Sequence, residues 1–95
     1  MAKQEQAPPP LDGRTVFKLL ASPTRLRLLL LLDERGEVAV CDLAGALGRS
    51  QPAVSHELAL LLGGRLVARQ RDGPHVLYRL ASPAVADVLR LISGT

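Results

Sequence analysis

Apolar residues recur every three or four positions through most of this chain, then alternate with polar ones in a single late stretch. Residues 11–21 (LDGRTVFKLLA) set Val16, Leu19 and Leu20 on one side of a helix, with Gly13 weakening its start. Ser22-Pro23 then supplies a capping serine and a proline at the first helical position, opening a helix over 24–35. Its inward positions are expected at Leu26, Leu29 and Leu30. Leu28, Leu31 and Leu32 make the same helix apolar almost all round, as for a helix covered on more than one side. The second cover is either the core or a subunit interface, with the core taking most of it. Gly36 suits the position just past the end, where positive φ is easy for glycine. After a short extended link or single-bridge strand at 37–39, a third helix over 40–47 turns Leu43, Ala44 and Leu47 inward.

Gly48-Arg49 make a tight turn into residues 50–62, SQPAVSHELALLL, around which the rest of the chain is organised. The Ser50 hydroxyl can accept a hydrogen bond from the Ala53 N–H, and Pro52 falls in the first turn, where a missing N–H is harmless. Val54, Leu58 and Leu61 form a core-facing stripe. Pro52, His56 and Ala59 lie roughly opposite, with Gln51 and Ser55 on the flank near the N-terminus. This exposed face is polar, short and free of Lys and Arg. Small hydrogen-bonding tips there suit a helix entering a DNA major groove end-first. An ordinary amphipathic surface helix shows much of the same pattern, so the neighbours decide. Two helices joined by a short glycine-containing turn make a helix-turn-helix outline.

Gly63-Gly64 stop that helix, and the period changes to two. Residues 65–71 (RLVARQR) and 75–80 (HVLYRL) read as strands joined through Asp72-Gly73-Pro74, which carries the Asp-Gly hairpin signal. Val76, Tyr78 and Leu80 alternate with His75, Leu77 and Arg79, so one face can be buried. Arg69, Arg71, His75 and Arg79 line or flank the hairpin, either as a solvated basic surface or as the wing of a winged helix. Ser82-Pro83 repeats the cap device ahead of a last helix over 84–92, with Val85, Val88, Leu89 and Ile92 apolar. Neither terminal helix has an obvious partner of its own, so a homodimer packing first and last helices across a two-fold axis is expected.

Composition narrows the possibilities. The 95 residues make one domain, expected at 11–95 behind a polar, proline-ending, disordered tail at 1–10. Phe and Tyr occur once each and Trp never, so Leu, Val and Ala build the core and helix predominates. The expected class is mainly α with a small β-hairpin (α+β), about five helices and a two-stranded wing. The net charge is +3, and 10 of the 12 basic residues are Arg, which pairs well with phosphate and guanine. One cysteine excludes an internal disulfide and a multi-cysteine zinc site. The N-terminal residues lack the apolar stretch of a secretory signal, and the longest apolar run, 28–32, is too short for a bilayer, so a cytoplasmic protein without membrane association is expected. No nucleophile–base pair, paired carboxylates or phosphate-cradling glycine loop is present, and neither an enzyme nor a cofactor is expected.

Taken in order, Ser22-Pro23-Thr24-Arg25-Leu26-Arg27, Val40-Cys41-Asp42-Leu43-Ala44, Ser50-Gln51-Pro52-Ala53-Val54-Ser55-His56, Arg71-Asp72-Gly73 and Val76-Leu77-Tyr78-Arg79-Leu80 resemble the ArsR/SmtB-type repressors. The resemblance runs from about Val16 to Ile92 and is specific as an ordered set. It implies a homodimeric winged helix-turn-helix regulator that represses transcription from an inverted-repeat operator and is released by an inducer, often a metal ion or reactive sulfur species. By position it implies DNA contacts from Gln51, Ser55 and His56, with Ser50 capping the helix and touching a phosphate. Arg71, His75 and Arg69 would follow the backbone or minor groove from the wing. A winged-helix protein-interaction module is the alternative; it calls for exposed aromatics or aliphatics on the same surface.

The chain departs from the family's pattern in four places. Glu57 stands where a neutral or basic residue is frequent, beside the buried stripe, where an Arg could pair with it. Leu62 and Arg65 replace a frequent Arg and Gly at the end of the same helix. The family's arsenic-sensing pattern has cysteines at the positions of Ala39, Cys41 and Ala44, and only Cys41 is present. The last helix has Asp87 but no histidine for the other familiar metal site. No metal site is therefore expected, and His56 and His75 are read as DNA contacts or solvated residues. Cys41 has two readings, a small packed residue and a redox sensor. Packing comes first, because free cysteine is among the most buried residue types.

Overall fold

The computed structural model describes residues 11–93. The expectation for 1–10 lies outside them. The elements run α1 (Gly13–Leu20), α2 (Pro23–Arg35), β1 (Val38–Ala39), α3 (Val40–Leu47), α4 (Gln51–Gly63), β2 (Val67–Asp72), β3 (His75–Leu80) and α5 (Pro83–Ser93). The five expected helices and the hairpin are all present, each within two or so residues of its expected bounds.

Local chemistry accounts for the helix boundaries. α1 begins behind Asp12, whose carboxylate accepts from the Thr15 N–H at 3.1 Å and from the Thr15 hydroxyl. That cap outweighs the weakness of Gly13. The same hydroxyl, and then the N–H, hold the Asp12 carboxyl below its ordinary range. Ser22 caps α2 through Arg25 N at 3.3 Å, with Pro23 at the first helical position. α3 ends on Gly48 at φ +66, with Arg49 N–H bonded to the Ala44 carbonyl and Gly48 N–H to that of Gly45. This is the Schellman arrangement.

α4 ends in the same arrangement, but its left-handed residue is not a glycine. Leu66 N–H bonds the Leu61 carbonyl and Arg65 N–H that of Leu62, so the left-handed position falls on Arg65 at φ +66. Leu61 and Leu66, the positions that pair in such a cap, are both buried in the core. Gly64 has ordinary φ and is needed for a different reason. A Cβ there would lie 2.3 Å from Leu19 Cδ1 and 3.3 Å from Thr15 Cγ2, so α1 passes directly over the end of α4.

β1 does more than link two helices. It pairs antiparallel with β3 (Val38 opposite Tyr78, Ala39 opposite Leu77), making a three-stranded sheet in the order β1-β3-β2. β2 and β3 pair from Val67–Leu80 to Asp72–His75, leaving Gly73-Pro74 as a two-residue turn. Gly73 has φ +63. Pro74 cannot adopt positive φ, which excludes the I′ turn usual for Asp-Gly and leaves a II′-type turn, with glycine at its first central position.

The core lies between α2, α3, α4, α5 and the near face of the sheet, and leucine dominates it. Leu28, Leu29, Leu43, Leu58 and Leu61 are fully covered, and shortening any one to alanine costs about 2–5 kcal/mol. Tyr78, the one buried aromatic side chain among the described residues, packs against this cluster. α2 is rotated from its expected orientation. Leu28, Leu29 and Leu32 are the buried residues, Leu26 is half-buried and Leu30 is 37% exposed. With leucine at almost every position of 26–32, apolar pattern alone cannot choose a face. Phe17 stands 75% exposed on α1.

Candidate nucleic-acid interface

The N-terminus of α4 is built as expected. Ser50 Oγ accepts from Ala53 N at 3.2 Å, and Val54, Leu58 and Leu61 are buried. Gln51, Ser55 and His56 are exposed in the first two turns. Buried leucines thus hold the helix from behind, while its polar tips stand in solvent around an N-terminal positive dipole that favours a phosphate. Glu57 is not on that face. Its Oε1 accepts from Arg25 Nη1 at 2.9 Å, with side chains 25% and 17% exposed respectively.

Strand register divides the wing residues into two groups. Opposed residues of an antiparallel pair project on the same face. Arg69 opposes Tyr78 and Arg71 opposes Val76, so the two arginines share one face. His75 opposes Asp72 and lies on the other face, with Leu77 and Arg79. All three expected contacts are exposed. Arg79 reaches back to Glu37, at 3.9 Å.

A cleft of about 380 Å³ unites His75 with Gln51, Ser55 and Cys41, so the wing tip, the first turn of α3 and the start of α4 share one wall. Arg69 and Arg71 border a separate groove with Gln70 and Val76. Ser50 and His56 line neither. Cys41 is not packed away, which overturns the first reading. Its thiol is exposed, with Sγ 4.0 Å from Asp42 Oδ1, because the buried positions of α3 fall at Leu43, Ala44 and Leu47 and leave Cys41 on the outer side. Among the described residues no group of three or more His, Cys, Asp or Glu converges as a metal site would require.

One candidate escaped sequence reading. Arg49 is exposed in the turn directly before Ser50 and has no ion pair among the described residues. It precedes the α4 cap by a single residue. The available signal was its position, a basic residue immediately ahead of the cap of a helix that carries no cation itself.

A helix pair with a tight turn, its second helix presenting capped polar tips, followed by a basic hairpin and a closing helix, defines a winged helix-turn-helix protein. The sequence profile of bacterial regulatory proteins of the arsR family matches residues 22–69, just over half the chain. The chain belongs to that family. It is 46% identical over 77 residues to the arsenical resistance operon repressor of Escherichia coli (strain K12), covering 81% of this chain and 66% of that protein. The SmtB homolog of Synechocystis sp. (strain ATCC 27184 / PCC 6803 / Kazusa), a transcriptional repressor, is also 46% identical over 77 residues, with 58% of its length covered. Among solved structures, the homodimeric winged helix-turn-helix DNA-binding domain of a possible ArsR-family transcriptional regulator from Mycobacterium bovis superposes with a TM-score of 0.79 at 38% identity. The match covers 84% of this chain and 73% of that one. No helix among the described residues is long and apolar enough to cross a membrane.

Proposed function

We propose that this chain is a dimeric transcriptional repressor that binds a two-fold-symmetric DNA operator. The observation that carries the reading is the exposed tip of α4, Gln51, Ser55 and His56 behind the Ser50 cap, standing beside a hairpin with exposed Arg69, Arg71 and His75. The α4 side chains read base edges and the wing arginines hold phosphates, with Arg49 adding a backbone contact. Phe17 (75% exposed), Leu91 (84%) and Ile92 (46%) place large apolar side chains in solvent on α1 and α5, which supports pairing of the first and last helices between protomers. The same distribution disfavours a protein-docking role for the α4 and wing surface, where Leu60 is the one large apolar side chain exposed on α4. The exposed thiol of Cys41 shares its cleft with Gln51, Ser55 and His75, so any thiol-directed inducer acts there.

The test is a titration of the reduced protein against duplex DNA from the promoter of its own operon, across a range of salt concentrations. Binding must weaken steeply with salt, and Arg69→Ala and Arg71→Ala must each reduce the slope by about one. Salt-independent binding, or binding indifferent to Gln51→Ala and Ser55→Ala, refutes the assignment. Release by peroxide or polysulfide that survives Cys41→Ser refutes the thiol role.

A further inference from the structure

Glu57 is a carboxylate in the middle of the helix assigned to DNA, and its position needs a reason. Its partner is also oddly placed. Arg25 is the third residue of α2, where the helix dipole favours an acidic side chain and disfavours a cation. The guanidinium is held by two acceptors on other elements. Nε donates to the Leu19 carbonyl at 2.9 Å, and Nη1 donates to Glu57 Oε1 at 2.9 Å. One rigid planar fork thereby joins the C-terminal end of α1, the first turn of α2 and the middle of α4. The flexible single ammonium of lysine cannot reproduce this geometry. Leu19 has a second contact with α4, because its Cδ1 occupies the space a Cβ at Gly64 would need. The two attachments lie seven residues apart on α4, about 10 Å along its axis. A single attachment would leave a pivot, whereas two attachments at that separation define a direction.

We propose that Arg25 and Glu57 are a positioning pair that sets the tilt of α4 against α1, and thereby the half-site separation that a dimer accepts. The proposal rests on the operator-binding reading above. Glu57 makes no DNA contact in it. Its side chain is three-quarters covered and turned to α2, so its charge is neutralised inside the protein rather than presented to phosphates. α1, which carries the exposed Phe17 of the proposed dimer contact, supplies the reference frame. Two such frames related by the dimer axis must place two α4 helices in major grooves about one helical turn apart, roughly 34 Å, and a tilt error in each protomer changes that distance.

The experiment selects the preferred duplex for the wild-type chain from a random pool. Affinities are then measured for that duplex and for versions with the half-site spacer lengthened or shortened by one base pair. The wild type should lose roughly tenfold on either change, of the order expected for a misfitted contact. Glu57→Ala and Arg25→Lys should flatten this to about twofold while leaving base preference within each half-site unchanged. Glu57→Gln, which still accepts from Arg25, should retain most of the discrimination. Unchanged spacing discrimination in Glu57→Ala overturns the proposal. So does tighter binding by Glu57→Ala at every spacing, which would mean a carboxylate acting directly on DNA. If Glu57→Ala does not fold, Arg25→Lys and Glu57→Gln decide.

If the wild type selects no duplex, the operator reading has failed on its own account. The pair is then judged by the distance distribution between nitroxide labels at Lys18→Cys and Ser55→Cys in a Cys41→Ser background. This should be narrow with Arg25 and Glu57 intact and broad in Arg25→Lys. Equal widths overturn the proposal.

Discussion

Substitutions at the end of α4 should have opposite signs at adjacent residues. Arg65 is left-handed at φ +66, where a non-glycine residue loses roughly 1–2 kcal/mol. Arg65→Gly recovers that and forfeits roughly 0.5–1 kcal/mol through the greater freedom of glycine in the unfolded chain. The net is a gain centred on about 0.7 kcal/mol, or about 3–6 °C in a domain of this size. Gly64 lies at φ −85 and ψ 1, a conformation alanine adopts freely, so conformational freedom alone predicts that Gly64→Ala stabilises. Packing predicts the reverse. The new Cβ falls 2.3 Å from Leu19 Cδ1, and Leu19 is itself buried, so α1 must move. Overpacking costs roughly 1–3 kcal/mol and the entropic gain returns about 0.4–1 kcal/mol, leaving a net loss of about 1 kcal/mol. Urea denaturation followed by circular dichroism at one fixed protomer concentration measures both, with equal m values required for the comparison. Stabilisation by Gly64→Ala would refute the close passage of α1 over α4. Destabilisation by Arg65→Gly would refute the strained cap.

Other expectations follow from single contacts. Ser50→Ala should lower stability by about 1 kcal/mol and weaken DNA binding further, whereas Ser50→Asp should preserve the cap, as urea midpoints will show. The stabilising effect of Asp12 should be complete above its ordinary value of 3.8 and fade as pH falls through its lowered native value, since Thr15 holds its carboxyl ionised. The difference in midpoint between wild type and Asp12→Ala should therefore be largest near neutral pH and vanish in strong acid; a constant difference would exclude the cap. Leu91→Glu, at a side chain 84% exposed, should leave the fold intact by circular dichroism yet give monomers in sedimentation equilibrium. A dimer in that variant would remove the last helix from the proposed interface.

The chain's own pattern determines a great deal here, wherever a boundary or face depends on near neighbours. Serine and proline placed the starts of α2 and α4, and glycine the end of α3, because a cap bond spans only three to five residues. The spacing of Val54, Leu58 and Leu61 chose the buried side of α4, because polar residues at 51, 55 and 56 leave no second apolar stripe near its start. The pairing of Glu57 with an arginine was legible as a need, though not as a partner.

Contacts between distant segments decided the rest. α2 presents leucine on every side, so its rotation follows from what it meets: Arg25, on the same side as Leu28, Leu29 and Leu32, is tied to Glu57, 32 residues away. Strand register, which residue types leave open, parted Arg69 and Arg71 from His75 and carried His75 to Cys41. Cys41 stands exposed because Leu43, Ala44 and Leu47 took the inner side of a two-turn helix. Gly64 looks like a helix stop in the linear chain, and only the approach of Leu19 shows that it is there for want of space. Hydrogen bonds to near neighbours are written in adjacent residues, whereas helix rotation, strand register and close packing depend on groups far apart in the chain and are decided by the folded whole.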